Sequence, residues 1–232
     1  MTLISVIIPA LNEAGHIESA VKSALETPGH ILVEVIVVDG GSTDTTMALA
    51  KAAGARVFTS QASRGLQMNH GAENAAGEIY LFLHADTKLP SLWGDAVLSA
   101  LKRPGVSGGA FTLAIDAPGW GFRLVEHLTL FRARWLGLIY GDQAIFTRSE
   151  TFKRIGGFKN LPLFEDIDYV MKLKGKGRVQ ILADKVLSSA RRWVTSGIVA
   201  NTLRNWFLLC LYKLGFNPHN LYRRYYKGRL KG

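Results

Sequence analysis

Three acidic groupings in this 232-residue chain directly follow apolar runs, where the fold rather than solvent can fix the position of a carboxylate. Asp39 closes the run Val33 to Val38 and opens Gly40-Gly41-Ser42-Thr43-Asp44. Glycines there let backbone approach a ligand, and the carboxylate can accept a hydrogen bond from a base imide or a ribose hydroxyl. Asp86 ends His84-Ala85-Asp86 after the apolar Ile79 to Leu83. Magnesium and manganese favour oxygen ligands, and one carboxylate together with a substrate diphosphate can hold such a cation. Glu165, Asp166 and Asp168 follow Gly156-Gly157-Phe158 and Leu163-Phe164. A carboxylate in a partly desolvated pocket can act as a general base. Plainer alternatives stand beside each: turn and cap roles for Asp39 and Asp44, a polar loop end for Asp86, and stabilisation by a helix dipole for the triplet.

The elements that must position these residues follow from the hydrophobic pattern. Leu3 to Ile8, Val33 to Val38, Ala55 to Thr59 and Ile79 to Leu83 are short apolar runs suited to buried strands. Helices are expected from about Asn12 to Leu25, from a Ser42 or Thr43 cap through Ala53, and over Gln67 to Ala76 and Ser91 to Leu101. Apolar strands alternating with helices predict an α/β fold with a parallel sheet covered on both faces, its ligands beyond the carboxyl ends of the strands. After Lys102 the pattern becomes mixed. Strands are expected over Gly105 to Ile115, Ile139 to Thr147, Gly177 to Ala183 and Val186 to Ser189, and helices over Phe122 to Leu136, Ser149 to Ile155, Asp166 to Lys174 and Ile198 to Leu214.

Several chemistries lose their usual marker, because the chain has no G-x-G-x-x-G, no G-x-x-x-x-G-K-[ST] and no H-E-x-x-H. Cys210 is the one cysteine, so no intramolecular disulfide or thiolate zinc cluster can form, and a reducing, cytoplasmic setting is expected. The N-terminus lacks a basic leader and a cleavage site, and no apolar run reaches the roughly 20 residues that span a bilayer. The net charge of +10 suggests nucleic acid until it is divided along the chain. From Arg191 onward there are nine basic residues and no acidic one, so residues 1 to 190 hold 19 basic and 18 acidic groups, a net of +1. The basicity belongs to the tail, and nucleic acid is not the expected partner.

Taken in order, Pro9-Ala10-Leu11-Asn12-Glu13, Val38-Asp39-Gly40-Gly41-Ser42-Thr43-Asp44, His84-Ala85-Asp86 and Gly156-Gly157-Phe158 with Glu165-Asp166-Ile167-Asp168 resemble the family-2 glycosyltransferases of the GT-A fold, from about Ser5 to Trp193. The resemblance implies a mostly parallel central sheet flanked by helices, a GT-A domain over 1–193 and a basic helical extension over 194–232. It implies that Pro9, Asn12, Glu13, Asp39 and Arg64 bind a nucleotide-sugar donor, with Arg191, Arg192 and Trp193 adding to that site. Asp86, with His84, would hold Mn2+ or Mg2+ on the donor diphosphate. Asp166 would be the base of an inverting transfer, with Glu165 and Asp142 on the acceptor side.

Departures from the family pattern carry information too. His84 replaces the first carboxylate of the D-x-D motif, and Leu11 stands where some relatives place an aromatic. Ser189-Ala190-Arg191-Arg192-Trp193 resembles Q-x-x-R-W of processive synthases with serine in place of glutamine, and the membrane helices of those synthases are missing, which points to a non-processive enzyme. Ser63 to Asn69, Leu161 to Asp166 and Arg191-Arg192-Trp193 are similar to a small bacterial subgroup sometimes associated with arsenosugar biosynthesis. A non-catalytic protein that binds membrane or nucleic acid through its basic tail is the rival from another class, and a nucleotidyltransferase the rival enzyme. Trp206 to Tyr212 is apolar all round, with basic and aromatic residues following through Lys227. The tail therefore suits peripheral contact at the inner face of the cytoplasmic membrane; packing on its own domain or across a homodimer is the alternative.

Overall fold

The computed structural model describes residues 1–27 and 29–226, with the backbone alone for Arg192, Ser196, Val199, Asn201, Arg224, Tyr225 and Tyr226. The sequence readings that fall on Lys227, Arg229 and Lys231, and on the Arg192 and Arg224 side chains, lie outside the described residues. Strands β1 (Leu3–Ala10), β2 (Leu32–Asp39), β3 (Arg56–Thr59), β4 (Ile79–Phe82), β5 (Thr87–Lys88), β6 (Val106–Asp116), β7 (Ile145–Arg148) and β8 (Arg178–Ser189) form one sheet in the order β3-β2-β1-β4-β7-β6-β8-β5. β1 runs parallel to β2 and β4, and β2 to β3, which is the α/β half read from the sequence. β7 is antiparallel to both β4 and β6, while β6 and β8 are parallel, so the second half is mixed.

Alternation along β1 explains how the sheet is covered. Ile4, Val6 and Ile8 face a core shared with α1 (Ile17–Leu25) and α4 (Trp93–Leu101), where Trp93 is fully buried. Ile7 faces the opposite layer, where Tyr80, Phe82, Phe152, Phe158 and Tyr169 pack with α3 (Arg64–Glu73), α6 (Ser149–Ile155) and α7 (Glu165–Lys174). Gly71 of α3 lies so close to β1 that a Cβ there would sit 2.4 Å from the Ile7 side chain, and this closeness seats α3 across the strand ends.

Five expectations need correction. The first helix starts at Ile17 rather than near Asn12, because Asn12 takes φ +53° and its side chain accepts a hydrogen bond from the Thr43 amide (2.9 Å). α2 (Thr46–Ala52) begins later than a Ser42 or Thr43 cap would set it, since Ser42 instead donates its hydroxyl to Asp39. Ile139 to Thr147 is not one strand: a 3-10 turn at Gly141–Gln143 precedes β7. The two late strands are one, β8, paired with β6 across a register shift. The helix expected over Phe122 to Leu136 is α5 (Trp120–Phe131) running into a π-helical turn, Arg132–Leu136. The C-terminal segment forms α8 (Arg191–Ser196), α9 (Ile198–Lys213) and α10 (Pro218–Tyr226).

Candidate active site

β1, β2 and β4 end side by side, and the loops leaving β1 and β4, with the segment from β3 into α3, wall a cavity of about 620 Å³. Gln67 of α3 holds two of these strand ends, donating from Nε2 to the carbonyls of Ala10 (2.9 Å) and Val38 (2.8 Å). Pro9, Glu13, Arg64, His84 and Asp86 all open onto this cavity.

Asp39 does not. It is fully buried, and its carboxylate accepts from the amides of Gly41 (2.8 Å) and Ser42 (2.7 Å) and from the Ser42 hydroxyl. Asn12 likewise ties its loop to residues 42 and 43, accepting from the Thr43 amide while its own amide donates to the Ser42 hydroxyl (2.8 Å). Both residues hold the loop that follows β2, and for Asp39 this is the turn-forming role that stood beside the ligand-binding one.

β5 and β8 carry Asp86 and Arg191 to one point. Thr87 and Lys88 pair with Ser188 and Leu187, and the Ser189 amide donates to the Asp86 carbonyl (3.0 Å). Arg191 then reaches both oxygens of Glu13 (2.7 and 3.0 Å) and lies 3.8 Å from the Asp86 carboxylate. The hydrogen bond to Glu13, aided by the charges of Glu13 and Asp86, outweighs desolvation and raises the Arg191 pKa above its ordinary value. Among the described residues no three His, Cys, Asp or Glu side chains gather as a metal cage. Asp86 and its neighbour His84, both lining the cavity, fit instead a cation whose remaining ligands come from a diphosphate.

A second cavity, about 120 Å³, adjoins the first and shares Arg64, His84 and Leu163 with it. Asp142, Asp166 and Trp193 line it. Asp166 opens α7. Its two oxygens accept from the amides of Gly141 and Ile167, each at 2.7 Å, which leaves lone pairs for a further proton or donor. Gly141 is small of necessity: a Cβ there would lie 2.6 Å from His84 Nε2 and 3.6 Å from Asp166 Oδ2. Glu165, nearly fully buried, pairs with Arg64 Nε (2.7 Å) and so couples α7 to α3. Asp168 pairs with Lys159 (2.6 Å) and Lys172 (3.2 Å), a structural role that fits its turn of the helix.

The sequence reading missed four contributors. Tyr140 lines the second cavity under the Arg132 guanidinium, 3.4 Å from its ring centre, and burial pushes its phenol up to about 12. His219 and Tyr222 of α10 line the large cavity. Phe164, held at φ +66° just before the acidic triplet, stacks on Tyr212 of α9 with ring centres 4.9 Å apart. The bulky aromatic at a positive φ is a strained arrangement, but its identity as such cannot be read from sequence. The closest available signal was the spacing of Leu208, Leu209 and Tyr212, which pack on Leu163, Ile167 and Phe164.

The α/β fold thus carries, at the strand ends of its sheet, a larger cavity bordered by Asp86 and an adjoining smaller one bordered by the buried Asp166. Residues 5–159 match the family described as Glycosyl transferase family 2, and the chain belongs to that family. Asp166 and Arg191 lie beyond the matched residues. Glucosyl-3-phosphoglycerate synthase of Mycobacterium tuberculosis (strain ATCC 25618 / H37Rv) is 35% identical over 92 residues, covering 36% of this chain and 28% of that protein. The chain spans less than a third of the length of the curated relatives it matches. Among solved structures, Staphylococcus aureus TarS (residues 1–349) in complex with UDP superposes with a TM-score of 0.60 at 21% identity, over 82% of this chain and 60% of that one. The mannosyltransferase PcManGT from Pyrobaculum calidifontis, in complex with GDP-Man and Mn2+, gives 0.62 at 22% identity, over 80% and 56%. At such identities the likeness is one of fold, and the fold is of the GT-A type.

Proposed function

We propose that the protein transfers a sugar from a nucleoside diphosphate donor, a UDP-sugar, to an acceptor hydroxyl in a single displacement with inversion at the anomeric carbon. The observation that carries this reading is the junction of the two cavities: Asp86 borders one, Asp166 the other, and His84 and Arg64 border both. A donor held in the larger cavity would present its anomeric carbon toward the smaller, where an acceptor hydroxyl meets Asp166. Asp166 takes the acceptor proton as the new glycosidic bond forms and the bond to the diphosphate breaks. Its remaining lone pairs and its fixed position at the start of α7 suit that task.

Asp86 and His84 would hold Mn2+ or Mg2+, which when bound offsets the negative charge of the departing nucleoside diphosphate. Arg191 supports the same end of the reaction, since a guanidinium beside Glu13 and Asp86 can turn its fork toward phosphate oxygens. Solved GT-A neighbours that carry UDP, or GDP-Man with Mn2+, make a nucleotide-sugar and a divalent cation the reasonable ligands to offer first. Titration calorimetry with UDP and Mn2+ tests the donor side. Asp86→Ala is expected to weaken Mn2+-dependent UDP binding at least about tenfold, the loss of one charged oxygen ligand. UDP binding as tight as the parent's, with the same dependence on Mn2+, would remove Asp86 from the cation site.

A further inference from the structure

The strongest feature outside the site is the outer face of α5 and the π-helical turn after it. Trp120, Leu124, Leu128 and Phe131 recur at helical spacing and all point to solvent, while Val125 and Thr129 turn inward. Trp135 extends the row. The two tryptophans that bound it are the most exposed part, at 82% and 77%. Single exposed apolar residues need no explanation, but a continuous row of this kind marks a contact surface.

Charge selects the occupant. Between Ala117 and Gly141 the one carboxylate is Glu126, which is buried and paired with Arg123 at 2.9 Å. α5 and its π-helical turn therefore show solvent no negative charge of their own, the exposed Asp116 lying before Trp120, while Arg134 stands exposed beside Trp135. The neighbouring α9 packs along α5, with Ile198 of α9 set against Gly121. It belongs to the segment that holds nine basic and no acidic residues, and it leaves Leu203 and Phe207 exposed, with Leu214 exposed just past its end. Indole rings at the margins, aliphatic residues between them and cations without anions match a headgroup interface bearing negative charge. Among the described residues no helix is long and apolar enough to cross a membrane.

We propose that α5 and its π-helical turn, through Trp120, Leu124, Leu128, Phe131 and Trp135, seat the protein on the surface of an anionic lipid bilayer without spanning it. The contact lies on the core domain and is distinct from any purely electrostatic attraction of the basic tail. A crevice between α5 and α9, lined by Leu128 and Trp206, shares Tyr140, Asp142 and Asn205 with the cavity of Asp166. Docking would thus turn the mouth of that cavity toward the lipid. The docking itself does not depend on the transfer reaction.

Co-sedimentation of the whole chain with phosphatidylcholine vesicles, and with vesicles also containing phosphatidylglycerol, tests the proposal at low and high salt. The parent is expected to pellet with the anionic vesicles and to keep part of that binding at high salt, because an inserted apolar face is not screened. Lipids brominated in the acyl chains should quench its tryptophan fluorescence, and Trp120→Phe/Trp135→Phe should remove most of the quenching while still binding. Trp120→Ser/Trp135→Ser should weaken binding at least about tenfold, with the thermal shift by UDP and Mn2+ retained as the control for folding. Three results would overturn the proposal. They are no binding to anionic vesicles, quenching unchanged in the phenylalanine pair, and a dimer by light scattering that the serine pair converts to monomer, which would make a second copy the occupant.

Discussion

Replacing Asp166 with asparagine exchanges one carboxylate oxygen for an amide nitrogen at a position where both oxygens are engaged. Gly141 and Ile167 each donate a backbone N–H at 2.7 Å. An asparagine can keep one of these bonds through its carbonyl, but it sets its NH2 against the other donor. A hydrogen bond to a charged group contributes about 1.5 to 3 kcal/mol, so the variant should lose roughly that much stability. At about 2 to 4 °C per kcal/mol for a chain of this length, its Tm should fall by about 3 to 12 °C, leaving it folded at 25 °C. The catalytic loss should be far larger, about 10² to 10⁴ in turnover, since the amide cannot take the acceptor proton. Turnover is read as UDP release from UDP-sugars with a panel of hydroxyl acceptors, and donor binding by calorimetry with UDP and Mn2+. Parent-like UDP affinity with lost turnover is the expected pattern. Turnover within tenfold of the parent would refute Asp166 as base, and a fall in UDP affinity matching the fall in turnover would mean that the site had collapsed instead.

Two further outcomes follow from the same region. Gly141→Ala places a methyl group 2.6 Å from His84 Nε2, so the ring must move. Overpacking of that kind costs about 1 to 3 kcal/mol, and turnover should fall with it, most clearly in its dependence on Mn2+ concentration; unchanged Mn2+ dependence would free His84 from the cation site. Tyr140 holds its phenol proton to about pH 12 through burial, whereas the unfolded chain releases it near 10. The stability this contributes is complete below pH 10 and is lost as pH rises toward 12. Tyr140→Phe should flatten that alkaline loss by up to about 2 to 3 kcal/mol in urea titrations at pH 9 and pH 12, and an unaltered slope would refute the assignment.

The first half of the fold was legible because its strands are largely buried and read as apolar runs interrupted only by Ser5 and Glu34, with β1, β2 and β4 falling close to the predicted spans. Helix starts were less legible. Asn12 fits a helix by composition but is claimed by the neighbouring loop, a tertiary hydrogen bond that no local pattern reports. β8 reads as two strands because Asp184 and Lys185 interrupt its apolar pattern, near where the ladder with β6 shifts register. The motif residues were found in the right neighbourhood but their orientation was not. Asp39 turns into its own loop, held by the Gly41 and Ser42 amides, whereas Glu13, Asp86 and Arg64 face the cavity, a difference of side-chain direction that motif spacing does not report. The all-round apolar stretch of α9 fitted either a membrane or the domain. The structure gives Leu208 and Leu209 to the domain and leaves Phe207 exposed, so helical spacing alone could not have divided them.

The Arg191 bridge to Glu13 joins positions 178 residues apart, a segment before the first helix and the start of the C-terminal helices. Any ligand that binds where Arg191 meets Glu13 and Asp86 has to engage this clasp, and it then holds together parts of the chain that no local element connects. Such a ligand would oppose separation of the C-terminal segment from the sheet as well as opening of the loops it touches. Its stabilisation grows as RT ln(1 + [L]/Kd) and would be shared by the whole molecule, so amides as distant as those of β1 and β8 should slow their hydrogen exchange together.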